Sequence, residues 1–244
     1  MNEIAIIIPS RLSAKRLPNK PLELINEKEM ILHVYDAAKK SSIGDVYVAT
    51  PDKEIINIVK KYGGNAELTS NSHQTGTDRV FEVFDRCLKR KPKFIINLQG
   101  DMPNIDPYAI KSLISHMKNE KCDIGTLASY LNVQNEENNP NVVKVIAKNK
   151  LEEGFFSETL DFLRLTKKPN IGTIYHHIGI YAFTNKALIR YVSLQRSKLE
   201  IERNLEQLRA LDNNMKIDVG LIKSSPLSVD TKDDLSKIKK IMKQ

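Results

Sequence analysis

Five segments carry side chains suited to holding a nucleotide, a divalent cation or a polar ligand. The first is Pro9-Ser10-Arg11-Leu12-Ser13-Ala14-Lys15-Arg16-Leu17-Pro18-Asn19-Lys20-Pro21-Leu22, with four cations, three prolines and no glycine. Arginine grips phosphate oxygens in bidentate fashion and lysine acts as a point charge, so this loop suits a triphosphate. It matches neither the glycine fingerprint of a dinucleotide site nor the Walker pattern. The second segment is Gln99-Gly100-Asp101. A carboxylate after a glycine that lets backbone approach a ligand suits Mg²⁺, although turn aspartates after strands are common. The third is Val229-Asp230-Thr231, where Asp230 by itself reads as favouring a helix amino terminus. The fourth, His73-Gln74-Thr75-Gly76-Thr77-Asp78-Arg79, places backbone donors and acceptors around Gly76 where a base could bind. The fifth is His176-His177-Ile178-Gly179-Ile180-Tyr181, and no Cys or Glu stands at zinc-ligand spacing from the histidine pair.

These segments need elements to position them. A continuous apolar run at residues 4–8 predicts a buried strand, 94–98 reads as another, 124–129 is strand-like, and further strands are expected at 46–49, 65–68, 177–183 and 216–221. Apolar residues at helical spacing predict helices over 30–40, 54–62, 77–88, 107–119 and 200–211. Thr77 reads as the cap of the third of these, and Thr231 with Asp234 as a capping box for a final helix. Strand and helix alternate, which predicts an α/β fold: a mostly parallel twisted sheet with helices on both faces. In such sheets ligands bind beyond the carboxyl ends of the strands, where the loop at 9–22 and Asp101 fall. The rhythm breaks over about 131–176, with a strand at 142–147 and an irregular or partly helical 151–168. We therefore expect one domain over 1–244 with a small lobe inserted there.

Composition bounds the rest. The 244 residues, 41% hydrophobic and 28% charged, suffice for one sizeable core. No apolar run is long enough to span a membrane, and no secretory signal pattern opens the chain, so a cytoplasmic protein is expected. Cys87 and Cys122 are too few for a disulfide scaffold and read as buried or half-buried thiols. The net charge of +8 fits a solvated lysine surface or a phosphate-bearing substrate. No nucleic-acid-binding motif accompanies that charge, so no nucleic-acid partner is expected; a binding protein of that kind is the rival from another class.

In order along the chain, the residues resemble the 3-deoxy-manno-octulosonate cytidylyltransferases (CMP-Kdo synthetases). The likeness runs through Ile8-Pro9-Ser10-Arg11, Arg16-Leu17-Pro18-Asn19-Lys20-Pro21-Leu22, His73-Gln74-Thr75-Gly76-Thr77-Asp78-Arg79 and Asn97-Leu98-Gln99-Gly100-Asp101. It continues in Asn139-Pro140-Asn141-Val142-Val143-Lys144, His177-Ile178-Gly179-Ile180-Tyr181, Leu205-Glu206-Gln207-Leu208-Arg209 and Val229-Asp230-Thr231. The resemblance implies transfer of CMP from CTP to an acidic eight-carbon sugar of the Kdo type, by a homodimer feeding lipopolysaccharide assembly. It implies that Arg11, Arg16 and Lys20 hold the CTP phosphates and that Thr75, Gly76 and Arg79 surround the nucleoside. Asp101 and Asp230 would coordinate Mg²⁺, and Lys20 would share the catalytic work with them. Gln99, His177, Tyr181, Glu206 and Gln207 would face the sugar. Residues 199–211 would supply part of the dimer surface, unless they are simply buried in the core. The chain departs from the family where Phe155-Phe156-Ser157-Glu158 replaces Tyr-Phe-Ser-Arg, where Met102 stands for glutamate, and where Ala14 and Asn19 stand for serine and glycine. A glutamate cannot pair with a sugar carboxylate, so an amino-substituted Kdo is a second candidate substrate, one that Glu158 could contact. Two rival enzymes are a different acidic-sugar nucleotidyltransferase, such as a CMP-sialic acid synthetase, and a metal-dependent glycosyltransferase. The arginine-glycine-serine loop of the former and the DxD of the latter are absent.

Overall fold

Runs of buried aliphatic side chains become strands in the computed structural model, which describes residues 3–13, 16–119, 122–165 and 171–243. The chain divides into two compact units, one of residues 1–111 and 226–244, the other of residues 112–225. The expected lobe at 131–176 falls wholly within the second unit, which is larger because β-strands on both sides of the lobe join it.

The first unit begins with β1 (Ile4–Pro9), then a short hairpin of β2 (Leu24–Ile25) and β3 (Lys28–Glu29), α1 (Met30–Lys40) and β4 (Asp45–Thr50). It continues with α2 (Lys53–Lys61), β5 (Ala66–Leu68), α3 (Gly76–Glu82), β6 (Phe94–Leu98) and the start of α4 (Pro107–Asn119). Apart from the antiparallel β2–β3 hairpin, its strands lie in the order β5-β4-β1-β6, and the described pairings among them are parallel. β1 is buried at all positions, as its unbroken Ile-Ala-Ile-Ile-Ile run requires for a strand covered on both faces. Gly63, at φ +83°, ends α2 in the left-handed conformation glycine adopts without strain. The cap of α3 is Thr75, not Thr77: the Thr75 hydroxyl accepts from the Asp78 N–H at 3.1 Å. Thr77 instead lies buried and accepts from Asn97 Nδ2 at 3.2 Å.

The second unit holds β7 (Ile124–Ser129), α5 (Val133–Glu136), β8 (Lys144–Ala147), β9 (Phe156–Leu163), β10 (Thr173–Thr184), α6 (Asn185–Ser193), α7 (Lys198–Arg203), α8 (Leu208–Asp212) and β11 (Ile217–Leu221). Its strands run β10-β7-β11-β9-β8, and β8 pairs again with β10, so the order closes on itself. The long β10 makes this closure: one half pairs with β8 and the other with β7, with a register shift between Ile178 and Tyr181. The expected α/β sheet is therefore present, parallel in the first unit and, among the described pairings of the second, antiparallel except for β7 with β11. Two local expectations are corrected. Residues 156–163 form a strand, since Phe-Ser-Glu-Thr-Leu-Asp-Phe-Leu has a two-residue alternation. The expected helix at 200–211 breaks at Asn204, whose φ of 52° ends α7 before α8 begins.

The chain then returns to the first unit as α9 (Lys232–Ile241), opened by the capping box of Thr231 and Asp234. Leu235 and Ile238 of this helix join Leu17, Ile25, Met30 and Val229 in one buried cluster. That cluster ties the amino-terminal loop to the last helix across most of the sequence.

Candidate active site

The cationic loop follows β1 and is anchored at several points. Ser10 donates from its backbone to Ala49 at 2.9 Å, and Leu12 donates to the Asp52 carboxylate at 2.8 Å. Leu17 is buried in the cluster with α9. Asn19 sits at φ 57°, ψ 20° and leads into a short 3-10 turn, Lys20–Leu22. Asparagine is among the few non-glycine residues that tolerate this left-handed geometry, so Asn19 can do the work of a glycine. Ala14 and Lys15 lie outside the described residues.

From this turn Lys20 reaches two carboxylates that the sequence separates widely. Its ammonium donates to Asp101 Oδ2 at 2.9 Å and to Asp230 Oδ1 at 3.0 Å. Asp101 follows β6 through Gly100, where a Cβ would lie 3.3 Å from the Pro9 carbonyl. Asp230 is brought in by the backbone: the N–H of Val229 donates to the Asp101 carbonyl at 2.9 Å. The helix that follows does not consume its carboxylate, because Thr231 and Asp234 make the cap between them. Asp230 Oδ2 instead accepts from Arg16 Nη2 at 2.9 Å. The side chains of Lys20, Asp101 and Asp230 are 15%, 24% and 34% exposed, so water screens these charges only in part. Burial alone would pull the Lys20 pKa down. The charges and hydrogen bonds of Asp101 and Asp230 outweigh it, and the net shift is upward. Two carboxylate oxygens within reach of a single cationic atom are also hard donors of the kind Mg²⁺ takes.

Thr75, Gly76 and Arg79 stand at the start of α3, beside the carboxyl end of β1: a Cβ on Gly76 would lie 3.5 Å from Pro9. Arg79 is buried and braces the preceding turn, donating to Thr69 Oγ1 at 2.5 Å and to the Ser70 carbonyl at 3.0 Å. Burial, then the charge of Arg11, lowers its pKa. Two guanidinium groups close enough to disfavour each other's charge make a place where an anion is welcome. Gln99 is oriented by a buried chain in which its Nε2 donates to Asn97 Oδ1 at 3.0 Å and Asn97 Nδ2 donates to Thr77.

The second unit gathers His177, Tyr181, Glu206 and Gln207. His177 lies in β10, with its ring edge-on to Phe162 at 4.9 Å and 5.5 Å from the Tyr181 ring. Its Nε2 is 2.9 Å from Thr126 Oγ1, whose one proton goes to the Ile180 carbonyl at 2.7 Å. His177 must therefore donate from Nε2, which leaves Nδ1 as the acceptor. Burial, then His176, lowers its pKa to about 3, so the ring is neutral. Burial, then the charge of Glu206, pushes the Tyr181 phenol well above its ordinary value. The segment carrying Glu206 and Gln207 is held from below. Glu200 and Arg209 form a buried bidentate pair at 2.8 and 2.7 Å, and the Arg209 guanidinium lies 4.6 Å from the Tyr191 ring. The Tyr191 hydroxyl donates to the Glu206 carbonyl at 2.9 Å. Glu158 is not in this group of contacts: it is exposed on β9 and accepts from Lys148 Nζ at 2.8 Å. The 199–211 segment is largely internal, with Glu200, Leu205, Leu208 and Ala210 buried, which favours core burial over a dimer surface.

The Cytidylyltransferase family pattern covers residues 5–217. The 3-deoxy-manno-octulosonate cytidylyltransferase of Bartonella bacilliformis is 42% identical over 242 residues, 97% of this chain and 97% of that protein. That of Rhizobium etli is 40% identical over 243 residues, 99% of this chain and 96% of that protein. The chain belongs to the 3-deoxy-manno-octulosonate cytidylyltransferase family. A solved structure of CMP:2-keto-3-deoxy-manno-octonic acid synthetase complexed with CTP superposes with a TM-score of 0.89 at 33% identity, covering 99% of this chain and 98% of that one. A 4-diphosphocytidyl-2C-methyl-D-erythritol synthase from Anaerococcus prevotii, at 13% identity and a TM-score of 0.65 over 100% and 99% of the two chains, shares the fold alone.

Within this cytidylyltransferase family, the chain's departures now have positions. Asn19 keeps the left-handed turn a glycine would make, and Met102 is buried apolar packing. Sequence reasoning missed Asp52 as an anchor of the loop. Its signal was a carboxylate just after a strand, at the same edge as Asp101. It also missed the Glu200–Arg209–Tyr191 brace, whose members are separated in sequence and carry no motif.

Proposed function

We propose that this cytidylyltransferase transfers CMP from CTP to the anomeric hydroxyl of Kdo, releasing pyrophosphate, for lipopolysaccharide assembly. The observation that carries the reading is the meeting of Asp101 and Asp230 at Lys20, at the mouth of a glycine-free cationic loop. The fit to CTP rests on the likeness to a synthetase solved with CTP. The sugar rests on relatives that cover nearly the whole chain.

Asp101 and Asp230 would hold Mg²⁺, which when bound supplies Lewis acidity at the α-phosphate. The remaining work belongs to side chains. The sugar's anomeric oxygen forms a new bond to the α-phosphorus, the bond to pyrophosphate breaks, and the hydroxyl proton passes to water. Positioning and neutralisation of charge dominate such a displacement. Lys20, Arg11 and Arg16 balance the charge that gathers on departing pyrophosphate. Thr75, Gly76 and Arg79 form the nucleoside surround, with Arg79 acting through the turn it braces. His177, neutral and donating from Nε2, offers Nδ1 as an acceptor to a sugar hydroxyl, alongside Tyr181, Glu206 and Gln207. Gln99 presents the amide that Asn97 orients.

Glu158 already has Lys148 as its counter-ion, which removes the need for an amine on the sugar and favours Kdo over its amino variant. We read the enzyme as a cytoplasmic homodimer. Supporting the dimer are large apolar side chains exposed in the second unit, among them Tyr130, Leu165 and Ile171. Among the described residues no helix is long and apolar enough to cross a membrane. A pyrophosphate-release assay crossing each nucleoside triphosphate with Kdo, 8-amino-Kdo and sialic acid tests the reading. CTP with Kdo should be the fastest pair, and no release from that pair would refute it.

A further inference from the structure

At the amino ends of β7 and β11, three metal-ligating side chains to which no role was assigned above meet. They are His116 on α4, Cys122 just before β7, and Asp218 on β11, with one ligating atom from each all within 4.8 Å of one another. His116 Nε2 lies 3.0 Å from Asp218 Oδ2. Asp218 is only 4% exposed, and its other oxygen, Oδ1, is buried without a hydrogen-bond partner among the described residues. A buried carboxylate oxygen left bare costs free energy, which a cation bound beside it would offset. A plain His–Asp hydrogen bond explains Oδ2; the Cys122 thiol also lies close to Asp218, but its donor geometry is to Met117 Sδ at 3.3 Å, which leaves Oδ1 without a well-aligned donor among the described residues.

The imidazole is held ready. Phe156 stacks flat on His116, 3.9 Å between centroids and 4° between planes. The Phe156 ring fits there because residue 220 is glycine: a Cβ at that position would lie 2.4 Å from the ring. Fixing a ligand's ring plane by packing is how outer contacts tune a metal site. Lys216 Nζ sits 3.5 Å from Asp218 Oδ2, but its side chain is half-exposed and free to turn to water. Cys122 is no nucleophile in this setting, since burial, then Asp218, pushes its thiol up to about 12. Its proton points to Met117 Sδ, 3.3 Å away, and a bound cation would take that proton's place.

We propose that His116, Cys122 and Asp218 bind a divalent transition metal of the zinc class, pinning the end of α4 to β7 and β11. The mixed nitrogen, sulfur and oxygen donors suit such an ion, whereas the all-oxygen pair of Asp101 and Asp230 suits a hard one. A tetrahedral zinc site holds its ligand atoms about 3.3–3.8 Å apart, from bond lengths of about 2.0–2.3 Å. The cluster needs to contract by no more than about 1.5 Å to reach it.

The test uses the metal-stripped full-length chain, titrated with Co²⁺ and watched for thiolate-to-cobalt charge-transfer absorption in the near ultraviolet. Carboxylates alone give no such band, so binding at Asp101 and Asp230 does not mimic it. The wild type and Cys87→Ala should show the band, Cys122→Ala should lose it, and added Zn²⁺ should abolish it by displacement. Zn²⁺ should also raise the melting temperature of the wild type by about 5 °C or more. His116→Gln, at a half-buried position where folding is less at risk, should weaken cobalt affinity more than tenfold. No band in the wild type, a band that survives Cys122→Ala, or unchanged cobalt affinity in His116→Gln overturns the proposal.

Discussion

Lys20 holds together two carboxylates that would otherwise repel, and each of the three side chains is answerable by a single substitution. Removing one well-placed electrostatic contact from an active site typically lowers rate by about 10²–10³. Lys20→Ala and Asp101→Ala should each lose at least about that much in kcat by pyrophosphate release. Both should keep their circular dichroism, since the residues are part-exposed and lie outside the core. Activity near wild type in either protein would remove that residue from the mechanism. Glu158 makes the opposite case. Its charge is spent on Lys148 at an exposed position, and surface pairs of this kind contribute about 0–1 kcal/mol. Glu158→Gln should leave kcat/KM for Kdo within about threefold and stability within about 1 kcal/mol. A larger loss of kcat/KM would return Glu158 to the sugar site.

Short turns and caps, not long elements, aim the site. Asn19 in its left-handed conformation delivers Lys20, and the Thr231–Asp234 box frees the carboxylate of Asp230 by capping α9 without it. Asn19→Gly should keep activity, whereas Asn19→Val should lower stability by about 1–2 kcal/mol and kcat with it. A urea melt and a steady-state assay on the same samples separate the two effects. In the other unit, Asn204 ends α7 so that Glu206 and Gln207 leave the helix axis, and Tyr191 holds the Glu206 carbonyl. Tyr191→Phe removes only the hydroxyl. It should raise KM for the sugar several-fold while KM for CTP stays put, and equal changes in both would show that Tyr191 does not position the sugar segment.

Across the whole molecule, buried titratable groups set the range of pH in which the fold survives. The unfolded chain takes up a proton at His177 below about pH 6.5, while the folded chain refuses it until about 3. The stability linked to this residue is complete above about 6.5 and falls as pH drops towards 3, by about 1.4 kcal/mol per pH unit. Melting temperatures measured from pH 7 to pH 4 should fall, and His177→Gln, which has no proton to take up, should flatten part of that slope. An identical slope in the variant would assign acid sensitivity elsewhere. The exposed apolar residues of the second unit bear on assembly. Leu165→Asp with Ile171→Asp should lower the sedimentation mass from dimer to monomer if that face is covered by a second copy.

Much of this protein is local and therefore readable along the chain. Apolar runs and helical spacing marked β1, β6, β7, α1 and α4 at or near their observed ends, because burial on both faces or on one stripe leaves a short-range pattern. Charge without glycine in the loop after β1, and carboxylates at Asp101 and Asp230, named the groups of the candidate site. What folding decided was which of them meet. Asp230 reads as a helix cap until Thr231 and Asp234 take that task and Lys20 takes its carboxylate. The break at Asn204, the strand at 156–163 and the closing of β8 on β10 likewise hang on partners far away in sequence. The reason is physical: alternation and spacing encode which side of an element is buried, but pairing partners and the direction of a charged side chain are set by residues that only the tertiary structure brings near.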